Sequence, residues 1–123
     1  MKGLNIILGC ALLLVTGCGN EYKAHSIAED FMKVNMTTDD IHHVSFVKYD
    51  STSLISDSLV RVLQKTPVPL YKRNIKFEGI PTDTLIYVTA KYERYDSKGK
   101  PIKYQNTFYL DKHLQNVVAV IQN

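Results

Sequence analysis

The stretch TLIYVTAKYERYDSKGKPIKYQNTFYLD, residues 84–111, fixes its own register and with it the fold. Asp96-Ser97-Lys98-Gly99 is a turn signal. Asp suits the first position of a type I turn, and Gly99 can take the left-handed position that makes a G1 bulge. With Ser97-Lys98-Gly99 as the loop, Asp96 faces Lys100 and every pair behind it follows. One face then reads Ile86–Leu110, Val88–Phe108, Ala90–Asn106, Tyr92–Tyr104 and Arg94–Ile102, a core face. The other reads Tyr87–Tyr109, Thr89–Thr107, Lys91–Gln105 and Glu93–Lys103, pairing aromatic with aromatic, hydroxyl with hydroxyl and acid with base. A slip of one residue would set Ile86 against Tyr109 and mix the two faces.

The second face is the candidate working surface: Tyr87, Tyr109, Thr89, Thr107, Lys91, Lys103 and Gln105. Five of the eight tyrosines lie in this hairpin. Tyrosine is favoured in strands anyway, but rigid aromatics flanked by polar groups are also what recognition surfaces use. The expectation is a protein partner, an envelope protein or a second copy, with helix 55–63 folding across the same face as the competing possibility.

Upstream, the chain opens on Met1-Lys2 and an apolar run from Leu4 to Val15. The run is too short to span a bilayer in the ordinary way, which takes about 20 apolar residues. A basic start, a short apolar stretch and small residues at its end describe a secretory signal. Val15-Thr16-Gly17-Cys18 resembles the lipobox of bacterial lipoproteins. The resemblance implies cleavage before Cys18, a diacylglycerol on its sulfur, and Gly19 after it as in lipoproteins sorted to the outer membrane. Residues 1–17 are then the signal peptide, 18–22 a short tether and 23–123 a single domain anchored in the bacterial cell envelope. Of the two cysteines, Cys10 leaves with the signal and Cys18 carries lipid, so no thiol remains for a disulfide, a metal or a nucleophile.

All twelve acids and fourteen of the fifteen bases lie beyond Cys18, which leaves that segment two charges positive. Such a balance lacks the dense basic stripe of a nucleic-acid binder. Between Tyr22 and Asn35 the apolar positions Ala24, Ile27, Ala28, Phe31 and Val34 follow the spacing of one helical face. Thr37 to Asp40 is a polar turn, and Val44 to Tyr49 reads as a strand. Asp50 to Ser53 is a turn that caps a shorter helix carrying Ile55, Leu59, Val60 and Leu63, stopped by Pro67. Ile75 and Phe77 alternate with polar residues and predict an edge strand. Val117-Val118-Ala119-Val120-Ile121 has no polar alternation, so it is covered on both faces or a partner covers one.

The sum is an α+β domain: an N-terminal helix and a shorter second helix on an antiparallel sheet of four or five strands. The order helix, strand, short helix, meander resembles a cystatin-like or NTF2-like roll. The closing segment Asn106 to Val118 is similar to the last hairpin of small bacterial lipoproteins with that shape. The resemblance implies a fold and carries no catalytic motif.

Chemistry is sparse. Asp39-Asp40-Ile41-His42-His43 is the one metal-like cluster, but adjacent histidines on a strand point to opposite faces, and zinc sites use spaced ligands. No serine sits in a strand–elbow–helix context, and Gly79 and Gly99 are single turn residues rather than a phosphate loop. Asp50-Ser51-Thr52, Asp57-Ser58-Leu59 and Asp83-Thr84-Leu85 resemble acceptor sites for bacterial O-glycosylation, and are equally cap and turn chemistry. The expectation is therefore a lipid-anchored, non-enzymatic binding or assembly module without metal or cofactor. The alternative is a small-ligand-binding or hydrolytic domain with a cleft between helix and sheet.

Overall fold

The computed structural model describes residues 2–123, with side chains described from Gly19 onward. The Cys18 side chain, on which the anchor reading rests, lies outside the described residues. Helix α1 (Lys2–Asn35) leads into β1 (His42–Thr52), α2 (Asp57–Lys65), β2 (Leu85–Tyr95), β3 (Pro101–Asp111) and β4 (Val117–Gln122). The four strands form one antiparallel sheet in the order β1-β2-β3-β4. The fold is α+β with helices packed on a sheet, as the sequence predicts.

The hairpin adopts the expected register throughout, from Leu85↔Asp111 to Tyr95↔Pro101. Its turn closes as the residue types demand. Gly99 takes φ 79°, its N–H donates to Asp96 O at 3.0 Å, and Asp96 Oδ1 accepts from the N–H groups of Lys98 and Lys100 at 2.8 Å each. The β3–β4 turn uses the same device. The buried Asp111 carboxylate accepts from Gln115 N–H at 2.9 Å and Asn116 N–H at 2.8 Å.

Two cores follow from the alternation of the strands. On one face α1 sets Ala24, Ala28 and Met32 against Val88, Ala90, Tyr92, Phe108, Leu110 and Val120. Small residues on the helix let its axis come close to the sheet. On the other face α2 seats Val60 against Leu85, Val118 and Ala119, with Tyr109 at the margin. The unbroken apolar run of β4 is thus explained: both faces of it are covered, one by each helix. Asn106, a polar residue on the core face, is satisfied in place. The hydroxyls of Tyr92 and Tyr71 both donate to its Oδ1, and its amide reaches two carbonyls. Burial raises both phenols above their ordinary value, Tyr92 to about 12 with Tyr104 adding to the effect, Tyr71 further still with Tyr92 adding.

The structure departs from the sequence reading in five places. Ile75 and Phe77 are in no strand; Phe77 stacks on Phe31 with ring centroids 5.7 Å apart, so this segment covers α1 instead of pairing. Asp50 to Thr52 continue β1, and Ser56 caps α2 by accepting from Leu59 N–H at 3.2 Å. The helix runs unbroken through residues 19–21, where a tether was expected, with Glu21 and His25 one turn apart at 3.9 Å. Val34 points to solvent and Met32 takes its place in the core. Ile102 is exposed too, because the hairpin tip reaches past the helices.

Candidate functional site

Helix α1 lies over β2 and β4, toward the middle and far side of the sheet. Strand β1 therefore overhangs, and the space between it and α1 is left as a cleft of about 860 Å³. Its floor is apolar: Met32 from α1, Met36 and Ile41 from the connecting loop, Val44 and Phe46 from β1. Its rim is polar: Glu29, Lys33, Thr37, Thr38, Asp39 and Ser45. The His25 ring stacks on Phe46 at 4.6 Å and closes one end.

The loop 36–41 that forms the mouth is tied down at each turn. Thr37 N–H donates to Leu70 O at 2.7 Å, and Ile41 N–H to Asp39 O at 2.9 Å. The Thr38 hydroxyl accepts from Asp40 N–H at 3.0 Å. Asp40 Oδ1 meets His42 Nε2 at 2.8 Å, and Arg94 Nε donates to Asp40 O at 3.4 Å. On the rim Glu29 and Lys33 pair one helical turn apart at 3.4 Å. Asp39 forms no ion pair among the described residues, so the rim is acidic on balance. His25 Nε2 is shut from water and makes no hydrogen bond; the nearest carboxylate, Glu21, stands 3.9 Å away.

A floor with two methionines accepts varied apolar shapes, because unbranched thioethers repack at little cost. Clefts of this volume with few polar groups at the rim suit small ligands. None of these lining residues follows from a local sequence motif. The pairing of Met32 with Met36 at one-turn spacing is the nearest signal; the cleft itself depends on where α1 crosses the sheet.

The sheet face expected to meet a partner is only partly open. Helix α2 folds over its apolar half, so the competing intramolecular explanation holds for Leu85, Tyr109, Val118 and Ala119. Tyr87 and Tyr109 do meet, with ring centroids 6.1 Å apart. Both are half-buried, and burial followed by the Tyr87 neighbour raises the Tyr109 phenol. Thr89 and Thr107 are buried, hydroxyl to hydroxyl at 3.0 Å, with Thr107 donating on to Asn123 Oδ1 at 2.8 Å. Gln105 is half-buried, while Lys91 and Lys103 are exposed. The expected apolar patch running on into β4 does not form, because α2 occupies it.

The histidines also depart from expectation. His43 takes φ 56° and the β1–β2 register breaks between His42 and Ser45, so alternation fails there. Both rings reach Tyr95, His42 as a ring pair tilted by 41° with centroids 5.0 Å apart and His43 through Nε2 to the hydroxyl at 3.2 Å. Among the described residues, no three metal-ligating side chains gather. Compared with known proteins, the chain matches no family model, no curated protein and no solved structure.

Proposed function

We propose that this chain is a lipid-anchored, non-enzymatic binding module of the bacterial cell envelope, and that it takes a small amphipathic ligand in the cleft between α1 and β1. The address rests on Lys2, the apolar run and Val15-Thr16-Gly17-Cys18. The cystatin-like or NTF2-like likeness is part of the same proposal and rests on the order of elements read from the sequence. The single observation that carries the binding site is the cleft, with an apolar floor, a polar rim and a mouth held by hydrogen bonds. Preformed concavity of this kind lowers the ordering cost of binding.

The test uses anilinonaphthalene sulfonate, a dye that brightens in apolar sites. The protein should enhance its fluorescence, and Val44→Glu should weaken binding about tenfold by placing on the floor a charge that also repels the sulfonate. Val44 is 41% exposed, so the fold tolerates the change. Equal binding to both proteins means the cleft is not the site.

A second reading keeps a protein partner on the sheet face. It is favoured by the exposed lysines Lys91 and Lys103, which carry the Tyr87 face on toward the hairpin turn, on the half that α2 leaves open. Lys91→Glu with Lys103→Glu should then abolish capture of an acidic envelope protein while the thermal midpoint stays put.

A further inference from the structure

The sheet has two edges, and β1 is one of them. From Lys48 to Thr52 it pairs with β2 without interruption, Lys48↔Thr89 through Thr52↔Leu85. Among the described residues, no main-chain hydrogen bond joins these five to anything beyond β2. The Ser51 N–H is met only by the adjacent Asp50 carboxylate at 2.7 Å. Such an edge is a template for another strand.

Its sequence selects which strand. Lys48 and Asp50 stand on the same face, beside Thr89 and Tyr87. Both are exposed, and neither forms an ion pair among the described residues. We propose that β1 pairs antiparallel with β1 of a second copy, centred on Tyr49. In that register Lys48 stands opposite the second copy's Asp50, and twofold symmetry repeats the pair. Moving the centre to Lys48 sets lysine against lysine, and moving it to Asp50 sets acid against acid. Charge therefore fixes the register.

The ladder is short. The register break between Phe46 and Lys48 stops it at both ends, because residue 46 of one copy faces residue 52 of the other. Pairing leaves the α1–β1 cleft intact and is independent of the ligand reading above.

Sedimentation equilibrium of the full chain in density-matched detergent tests this with four proteins: wild type, Lys48→Asp, Asp50→Lys, and both together. Wild type should dimerise, and each single variant should weaken the dimer about tenfold. The double variant should recover, since its charges are exchanged but still complementary. An equimolar mixture of the two single variants should associate more tightly than either alone. Hydrogen exchange on the wild type gives a second readout, with amide protection across Val47–Ser51 rising with protein concentration. A wild type that stays monomeric, or four proteins that behave alike, overturns the proposal. So does a double variant that keeps its thermal midpoint without regaining the dimer.

Discussion

The two edges of this sheet are built from different kinds of sequence and meet different fates. β4, VVAVIQ, is apolar on both faces and has drawn cover on each of them. α1 packs on one face and α2 on the other, the Gln64 amide donates to Val118 O at 2.9 Å, and the segment at Gly79 lies directly against Val118 and Asn116. β1, HHVSFVKYDST, mixes charge, hydroxyl and apolar groups. It holds neither helix closely, breaks register twice and leaves Val44 and Val47 in solvent. The comparison teaches that an apolar strand recruits the rest of its own chain. A mixed strand is left over, and both the cleft and the open edge lie along it.

The middle strands support both edges, so the largest effects belong there. Phe108→Ala, at a fully buried site, should cost about 3–5 kcal/mol in urea unfolding. Raising the pH reaches the same core. Burial favours the neutral form of the Tyr71 and Tyr92 phenols and raises both above the usual 10. The stability that Tyr92 supports is complete below pH 10 and is lost as the pH climbs through about 12, and that of Tyr71 is lost at still higher pH. Circular dichroism across pH 9–13, followed with tyrosinate absorbance, should show the last phenols ionising together with unfolding. Two late phenols that ionise reversibly in a folded protein would remove the Asn106 network from the account.

Next comes the covered edge. A side chain added at Gly79 would place Cβ 2.7 Å from Val118 Cγ1 and 3.0 Å from Asn116 Cβ. Gly79→Val should therefore cost about 1–3 kcal/mol. Gln64→Leu strips the bond to Val118 O and should cost about 1 kcal/mol. On the open edge, Lys48→Asp and Asp50→Lys should each move folding stability by less than about 0.5 kcal/mol, measured at a dilution where the chain is monomeric. If the β1 substitutions destabilise the monomer as much as Gly79→Val, the contrast between the edges is false.

What the sequence made legible divides along the same line. The hairpin register was readable because Asp96 and Gly99 dictate one turn, and alternation then places every residue to Asp111. Helix α1 was readable from the spacing of Ala24, Ile27, Ala28 and Phe31, and the double cover on β4 from its missing polar positions. β1 was blurred for a reason now visible: one extra residue lies between His42 and Ser45 and another between Phe46 and Lys48, so Phe46 and Tyr49 face the same core at odd spacing. Ile75 and Phe77 alternate as a strand does, yet they alternate against a helix. The tyrosine set was placed on the correct face, but its cover by α2 depends on the path of residues 53–56, which no periodicity records. The cleft was not legible in detail, since it is the gap left by a crossing angle rather than a property of any segment.

The Gln64 amide on Val118 O has a consequence for how many copies can join. A carbonyl already met by a side chain is one fewer group for a strand to pair with, so under the pairing proposed for β1 the Gln64 bond disfavours a second addition at β4. A protein with two free edges has a valence of two, and the same weak contact then propagates into a fibre without limit. Under the pairing proposed for β1, a glutamine side chain on a short helix thus weighs against growth beyond a pair.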